Sequence, residues 1–397
     1  MVQKKTVYRP AIFIEGFEYI KTLGAGGFAT THLFADIEKQ YGEYVAVKVP
    51  HDKEGEKALV GGDIPSLAKL GDLPYIAKFL DVKSVGDSYV LLMEYVEGRN
   101  LRQLLGDVGS LKSLPIKKAL AYTIHVAKGL GESHKRKMVH RDIKPENIII
   151  AKSSDTPKIL DFGIASPVSK KGHFKTTLGR HTPVYTPGEI FFEGKGDHRV
   201  DIYSLGMTLY EMLTGTLPYY KPDITDYRLA EIARKGGPKP PREINPQIPI
   251  YIEQAILKAI SPNQNDRFQD MEGFIQALEP PPQIKMAEQH QKEGSIRRAE
   301  HVLRSLIKQR PDDPRGYVAL ANLLNRCYRS LEAKGMLEQV IELDSQDPTH
   351  HISMCMTLSR LGEKTKAEKY LRQAEDLCKE KRLQHQIESL KARLFGK

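Results

Sequence analysis

One stretch of the chain, residues 139–163, constrains the fold more than any other. It contains Asp142, Asn147 and Asp161 at fixed spacing around two short apolar runs. The two runs are residues 148–151 and 159–160. They predict a hairpin of buried strands. Because a hairpin returns the chain to its starting place, Asp142 and Asn147 are expected to face Asp161 across a small gap.

The converging oxygen atoms of this stretch indicate a metal site. Mg²⁺ is a hard cation that prefers oxygen ligands and usually also binds substrate phosphates. The carboxylate of Asp142 then remains to orient or deprotonate a hydroxyl. A metal and a base on one hairpin are compatible with many enzymes that act on phosphates.

Composition limits the classes of protein that need to be considered. A chain of 397 residues predicts two or three domains. A net charge of +10 favours an acidic partner or a polyanionic ligand, but basic and aromatic residues do not alternate as in single-strand binders, so we expect no nucleic acid. No apolar run approaches the ~20 residues of a spanning helix, and the start of the chain lacks a signal-type apolar region. The three cysteines predict reduced thiols in a cytoplasmic protein; they are Cys327, Cys355 and Cys378.

A glycine-rich turn lies between two predicted strands near the start of the chain. Residues 23–30 read Leu-Gly-Ala-Gly-Gly-Phe-Ala-Thr within a strand, turn, strand, loop, strand pattern over residues 17–50. Glycines allow backbone N–H groups to approach a phosphate closely. An ordinary hairpin is the alternative interpretation. A dinucleotide-binding turn would open a helix, whereas residues 31–36 predict a strand.

The third predicted strand, residues 44–49, carries a single lysine, Lys48. Strand alternation places Val45, Val47 and Val49 on one side and Lys48 with Ala46 on the other. A cation beneath the glycine turn could hold phosphate as a point charge, although such a lysine often lies on a solvated face.

A helix is predicted after this strand, and further strands and helices follow it. If the helix begins near Asp63, this aspartate is both its cap and a candidate partner for Lys48, and a role as the cap alone is the alternative. Residues 76–98 predict two more strands, and helices follow at 100–105 and 115–136. The pattern indicates a small β-rich lobe, a larger helical lobe, and a cleft between them that suits a ligand.

Taken in order, these motifs resemble those of the eukaryotic-type (Hanks-type) protein kinase family, in its Ser/Thr branch. The resemblance covers roughly residues 15–280. It rests on the glycine turn, Val-Ala-Val-Lys48, His140-Arg-Asp-Ile-Lys-Pro-Glu-Asn147, Asp161-Phe-Gly163, Thr182-Pro-Val-Tyr185, Glu189, Asp201-Ile-Tyr-Ser-Leu-Gly206 and Arg267. It implies an α+β, bilobal kinase fold with a β-rich N-lobe and an α-helical C-lobe.

The resemblance also implies roles for individual residues. Asp142 would orient the attacking hydroxyl, Lys144 would steady the transferred phosphoryl group, and Lys48 would bind the ATP phosphates. Asn147 and Asp161 would hold Mg²⁺. The remaining nucleotide contacts implied by the family are Leu23, Gly24, Ala25, Gly26, Gly27, Thr31, Ala46, Glu94 and Val96.

Regulatory roles follow from the same resemblance. Arg141 resembles the arginine of kinases whose activation segment is ordered by phosphorylation, because a phosphate could pair with it. The candidate acceptors are Thr176 and Thr177, and Thr182 lies in a Thr-Pro-x-Tyr frame typical of the Ser/Thr branch. Asp63 stands where the family has a helix glutamate that pairs with the lysine, and Glu56 is its rival for Lys48.

The last part of the chain predicts an all-α array with an internal repeat of 34 residues. The same residue types recur at this spacing at Ala299, Ala333 and Ala367, at Leu303, Leu337 and Leu371, and at Leu306, Val340 and Ala374. The pattern resembles tetratricopeptide repeats closed by a final helix over 383–394, a solenoid that docks proteins or peptides. We therefore predict an N-terminal extension (1–14), a kinase domain (15–280) and a repeat domain (281–397).

Three functions remain open at this point. The preferred one is a protein kinase that uses ATP and Mg²⁺, acts on protein Ser or Thr, and docks partners on its repeats. The alternative is a pseudokinase scaffold that acts through its repeats alone. A small-molecule phosphotransferase of the same fold is the third, and the Thr-Pro-x-Tyr frame argues against it.

Overall fold

The computed structural model describes residues 13–26, 28–106, 112–160, 166–167, 174–175, 183–219, 224–378 and 381–395. The chain forms two compact units, Met1–Gly237 with Ala259–Glu272, and Pro238–Lys258 with Gly273–Lys397. Residues 238–258, which lie inside the predicted kinase domain, thus belong to the same unit as the C-terminal helices. The domain boundary near residue 280 stays a prediction.

All strands of the described chain lie in the first unit. They are β1 (Phe17–Ala25), β2 (Ala29–Asp36), β3 (Tyr44–Pro50), β4 (Phe79–Val85), β5 (Ser88–Glu94), β6 (Gly98–Asn100), β7 (Met138–Val139), β8 (Ile148–Ala151), β9 (Pro157–Ile159), β10 (Ser166–Pro167), β11 (Phe174–Lys175) and β12 (Lys195–Gly196).

Helices dominate the chain after β6. The α-helices are α1 (Lys53–Ala58), α2 (Ile64–Leu70), α3 (Leu101–Leu105), α4 (Ile116–Lys135), α5 (Gly188–Glu193), α6 (Arg199–Thr214), α7 (Asp226–Lys235), α8 (Pro241–Ile244), α9 (Ile250–Ala259), α10 (Met271–Leu278), α11 (Pro282–Lys292), α12 (Ile296–Gln309), α13 (Pro314–Arg326), α14 (Ser330–Leu343), α15 (Pro348–Arg360), α16 (Lys364–Leu377) and α17 (Lys381–Phe395). Among the described residues, none of these helices combines the length and the apolar character needed to cross a bilayer.

The N-terminal lobe is a five-stranded antiparallel sheet in the order β1-β2-β3-β5-β4. The alternation predicted for β3 is confirmed, since Val45 and Val47 are fully buried in a core on one face of the sheet. Lys48 lies opposite Thr31 on β2 and opposite Leu91 on β5. Cross-strand partners share a face, so Lys48 and Thr31 are on the face away from this core.

The first helix after β3 begins before Asp63. Its N-cap is Asp52, whose side chain accepts hydrogen bonds from the N–H groups of Glu54 and Gly55. Asp63 directly precedes α2, which begins at Ile64, and its role as a cap stays a prediction. A π-helical segment, Leu59–Asp63, joins α1 to α2. Pro65 has no N–H for a normal helical bond, and glycines tolerate the wider turn before it.

The hairpin predicted for residues 148–160 is confirmed. Strands β8 and β9 pair antiparallel, with Ile148 opposite Ile159, and β6 pairs with the other edge of β8. Backbone bonds attach β9 to the chain entering β4: Ile159 donates to the Tyr75 carbonyl at 2.8 Å, and Ala77 donates to the Ile159 carbonyl at 2.9 Å. The hairpin is therefore fixed to the N-terminal lobe.

In the second unit, helices recur with a period of 34 residues. Helices α12, α14 and α16 begin at Ile296, Ser330 and Lys364, while α13 and α15 begin at Pro314 and Pro348. The small and apolar residues that share the predicted spacing are all buried. Each buried alanine lets adjacent helices approach closely.

One turn of this periodic region departs from its equivalents. Gly294, Tyr328 and Gly362 are each 34 residues apart, and their φ angles are 75°, 61° and 78°. A left-handed φ suits glycine, whereas a residue with a Cβ is strained there. Tyr328 is 96% exposed, so its side chain does not compensate by packing.

Replacing Tyr328 by glycine is expected to raise the free energy of unfolding by about 0.5–1 kcal/mol, because it removes strain without loss of packing. Urea unfolding followed by circular dichroism measures the change. Tyr328→Ala, which keeps the Cβ and hence the strain, is the matched control and should give no such gain. An equal gain from both substitutions would contradict the explanation.

Candidate active site

A buried carboxylate organises the loop between β7 and β8. Asp201, on α6, accepts hydrogen bonds from the backbone N–H groups of His140 (2.9 Å) and Arg141 (2.7 Å). Its Oδ2 also lies 2.8 Å from His134 Nε2 on α4. Asp201 is fully buried. Its three partners fix the direction in which the chain leaves β7 toward Asp142.

The Asp201 carboxylate makes the stability of this loop depend on pH. Burial raises its pKa, but the bond to His134 and the other partners outweigh burial, so the pKa lies below its ordinary 3.8. A carboxyl group of this kind stabilises the fold above its unfolded pKa, and its contribution is lost as the pH falls through the folded value.

For Asp201→Asn we therefore expect a loss of stability that is largest at neutral pH and that shrinks below about pH 4. Urea unfolding of both proteins at pH 7 and at pH 3 gives the two differences. A difference of equal size at both pH values would contradict the assignment of the charge to this site.

The candidate base, Asp142, is held by two neighbouring side chains. Its Oδ2 lies 2.7 Å from Lys144 Nζ and accepts a hydrogen bond from Asn147 Nδ2 at 3.0 Å. Asn147 Nδ2 also donates to the Asp142 carbonyl at 2.8 Å. The three predicted residues thus form one cluster, positioned by a 3₁₀ turn over Pro145–Asn147.

Further bonds join this cluster to the end of the hairpin. His140 Nδ1 accepts from the Asp142 N–H at 3.3 Å, and His140 Nε2 lies 2.9 Å from the Leu160 carbonyl. The Leu160 N–H donates to the Asn147 carbonyl at 2.8 Å. The residue before Asp161 is therefore tied to Asn147, as the hairpin prediction requires.

Arg141 occupies an unusual conformation beside the candidate base. Its φ is 70°, a value uncommon for a residue with a side chain and often found at functional sites. The side chain is buried, and burial lowers its pKa to about 10. The guanidinium group remains charged at neutral pH.

Several predicted site residues lie outside the described part of the chain. They are Gly27, Asp161, Thr176, Thr177 and Thr182. The metal-binding role of Asp161 and the regulatory roles of the three threonines stay predictions.

The predicted phosphate site is on the first three strands. Leu23, Gly24 and Ala25 end β1, and the Gly26 N–H closes the turn by donating to the Ala29 carbonyl at 2.8 Å. Lys48 is half-buried on β3.

The chain that leaves β5 supplies the predicted adenine contacts. Ala46 lies opposite Met93, one residue before Glu94. The Glu94 side chain is engaged elsewhere: Oε1 contacts Lys158 Nζ at 2.5 Å and Oε2 accepts from the Lys78 N–H at 3.1 Å. If Glu94 contacts the nucleotide, it would therefore do so through its backbone and not through its carboxylate.

The acidic partner of Lys48 stays a prediction. Glu56 Oε2 lies 3.0 Å from Lys53 Nζ, and this bond lowers the pKa of Glu56. Asp63 ends the π-helical segment, and its side chain lies outside the described structure.

A buried ionic cluster that was not predicted from the sequence lies beside the loop of residues 142–147. Arg102 on α3 contacts Glu211 on α6 with both terminal nitrogens, at 2.7 and 3.1 Å. Its Nε contacts Glu146 at 2.9 Å and its Nη2 contacts the Tyr185 hydroxyl at 2.5 Å. Burial and the Glu211 carboxylate raise the pKa of Tyr185. Residues 102 and 211 are too far apart in sequence for any local spacing to signal this cluster.

The residues present fit a nucleotide and a hard cation. Neither Gly24 nor Gly26 has a positive φ, and a Cβ added to Gly24 would meet no atom within 4 Å. Glycine at this place thus leaves open space of the kind that a phosphate needs. Because Asn147 Nδ2 donates to Asp142, the Asn147 Oδ1 atom is the oxygen that remains for a cation.

Comparison with known families and proteins gives consistent matches. The family model described as protein kinase domain matches residues 17–347. The chain is similar to a probable serine/threonine-protein kinase of Clostridium perfringens, with 31% identity over 272 residues, or 66% of this chain and 38% of the relative.

Two further relatives are also bacterial. Serine/threonine-protein kinase PrkC of Bacillus subtilis is 30% identical over 268 residues, which cover 65% of this chain and 40% of that protein. Serine/threonine-protein kinase PknD of Mycobacterium tuberculosis is 28% identical over 289 residues, which cover 72% of this chain and 42% of that protein. The chain spans about two fifths of the length of these curated relatives.

Proposed function

Because the chain belongs to the protein kinase family, of the Hanks type, we propose that it transfers the γ-phosphoryl group of Mg-ATP to serine or threonine hydroxyls of proteins. The cluster of Asp142, Lys144 and Asn147 carries this proposal. The names of the bacterial relatives support serine and threonine as acceptors.

The geometry suggests how the residues divide the work. Asp142 would accept the hydrogen bond of the acceptor hydroxyl and orient its oxygen for attack. Lys144, already 2.7 Å from Asp142, would offset negative charge on the transferring phosphoryl group. Asn147, with Asp161, would hold Mg²⁺, and the bound cation would neutralise charge on the phosphates. Lys48 and the glycine turn would hold the phosphates in place.

The test is phosphate transfer by the purified chain. We expect label from [γ-³²P]ATP to appear on a general acceptor protein only when Mg²⁺ is present, and acid hydrolysis to release phosphoserine or phosphothreonine. Label on phosphotyrosine alone would contradict the acceptor class. Binding of ATP without any transfer would instead favour the alternative, a pseudokinase scaffold that acts through its C-terminal helices.

Autophosphorylation is the second part of the proposal. Residues 166–182 contain five hydroxyl groups among basic side chains, and a phosphate there could pair with the buried, charged Arg141. After incubation with ATP we expect mass spectrometry to locate phosphate at Thr176 or Thr177. Phosphate on other residues but none in this segment would contradict the proposal.

Protein docking by the C-terminal helices is the third part. Residues 281–397 contain 22 Lys and Arg against 16 Asp and Glu, a net charge of +6, which favours an acidic peptide or protein surface. The resemblance to tetratricopeptide repeats supports binding in the concave face of such an array. We expect the full chain to capture acidic partners from a peptide library in preference to basic ones of equal length, and the reverse preference would contradict this.

A further inference from the structure

The tip of the glycine turn is held by the residue that follows β3. The backbone N–H of His51 donates to the Phe28 carbonyl at 3.0 Å. The His51 side chain reaches the start of β2, where its Nε2 lies 2.8 Å from Thr30 Oγ1. His51 therefore binds the turn through its backbone and the adjoining strand through its side chain.

Gly55, in the first turn of α1, packs against the same carbonyl. A Cβ added to Gly55 would lie 2.2 Å from Phe28 O and 3.3 Å from Pro50 Cβ. The φ of Gly55 is not positive, so space rather than backbone conformation requires glycine here. Glycine weakens a helix relative to alanine. Its presence is explained by the close approach of the turn to the helix.

These contacts lie at the phosphate end of the predicted nucleotide site. Thr30 precedes Thr31, which is opposite Lys48. The Gly26 N–H donates to the Ala29 carbonyl, which bonds the residue that follows β1 to the start of β2. Holding Phe28 consequently constrains the described part of the turn relative to β3, the strand that carries Lys48.

We propose that His51 and Gly55 are positioning residues that clamp the glycine turn onto the phosphates of the nucleotide. The inference rests on the proposed function, because it requires ATP at this site. Backbone N–H groups bind phosphate only at hydrogen-bond distance, so a turn displaced from the clamp loses phosphate contacts. The adenine end of the site, where Ala46 faces Met93, does not depend on it.

The test compares Gly55→Ala with Gly61→Ala in the full chain. Both substitutions add one methyl group to the same helical region, but a Cβ at Gly61 meets no atom within 4 Å. Isothermal titration calorimetry measures the affinity of each variant, and of the wild-type chain, for ATP and for adenosine. We expect Gly55→Ala to bind ATP about tenfold more weakly, as for the loss of one or two bonds to charged oxygens. Its affinity for adenosine, and both affinities of Gly61→Ala, should remain as in the wild type.

The outcomes separate the clamp from the function on which it rests. A wild-type chain that binds no ATP overturns the proposed function, and the clamp with it. If the wild type and Gly55→Ala bind ATP equally, the clamp alone is overturned. An equal loss of ATP and adenosine affinity by folded Gly55→Ala also overturns it, since that result indicates general damage to the site.

If Gly55→Ala does not fold, a second set of variants tests the clamp. His51→Ala and Thr30→Val break the same side-chain hydrogen bond, so each should weaken ATP binding about threefold and the double variant no further. The KM for ATP should rise accordingly while the KM for an acceptor protein stays constant. Unchanged ATP affinity in both variants, or losses that multiply in the double variant, overturns the clamp.

Discussion

Asp142→Asn is expected to reduce phosphate transfer by about 10²–10⁴-fold, the range found when a positioned general base is removed. Asparagine has nearly the same shape, and its carbonyl oxygen can still accept the hydrogen bond from Asn147, so the loop should keep its conformation. The loss should therefore appear in kcat. Steady-state transfer of label from ATP to an acceptor protein measures it.

Two controls make this result specific to the base. The affinity of Asp142→Asn for ATP should match that of the wild type, because Asp142 lies beside the acceptor rather than the nucleotide in the proposed arrangement. Glu132→Gln, which changes a half-buried carboxylate on α4 that pairs with the exposed Lys135, should leave transfer unchanged. Equal incorporation by Asp142→Asn and the wild-type chain would remove the catalytic role of Asp142.

Arg242→Ala is expected to lower the free energy of unfolding by about 3–5 kcal/mol, the cost of leaving a buried charge without its partner. Arg242, at α8, forms an ion pair with Asp344, whose side chain is only 1% exposed. The second oxygen of Asp344 accepts the Ile250 N–H at 3.2 Å, but this bond cannot neutralise the carboxylate. Urea unfolding of the full chain measures the change.

The cause of that loss can be isolated with matched variants. Arg242→Met combined with Asp344→Asn removes both charges and keeps an acceptor for Ile250, so it should recover about 2 kcal/mol relative to Arg242→Ala. Lys239→Ala removes another cation of the same segment, one that is exposed and 4.0 Å from Glu243. It should leave stability nearly unchanged. A similar loss from Lys239→Ala and Arg242→Ala would contradict the explanation.

Local patterns were sufficient to predict the elements that position the site. Alternation in residues 44–49 placed Lys48 correctly, because a strand has a fixed period of two residues. The two apolar runs between Asn147 and Asp161 predicted a hairpin because each has the length of a buried strand, and the short connection between them brings the two strands side by side. Asp142, Lys144 and Asn147 came together because they lie within one short loop.

Contacts between distant segments could not be predicted in this way. Nothing in the sequence around Arg102 indicates that Glu211 pairs with it. Arginine and glutamate are both common at exposed helix positions, so neither residue type signals the contact. The start of the helix after β3 could not be fixed from the sequence, because Gly61, Gly62 and Pro65 suggest a break. In the structure a π-helical segment contains both glycines, and Pro65 lies in the first turn of α2. Tertiary packing thus overrides the local preference.

The ion pair between Arg242 and Asp344 has a consequence for recombining this protein with others. Residue 344 belongs to the periodic helices, whereas residue 242 lies in sequence that looks like part of the catalytic domain. A chimera that transplants only residues 281–397 onto another protein would carry a buried carboxylate without its counter-ion. The unit that could be moved to another protein with this ion pair intact is therefore discontinuous in sequence and includes residues 238–258. Gene fusions joined at residue 280 should yield poorly soluble products.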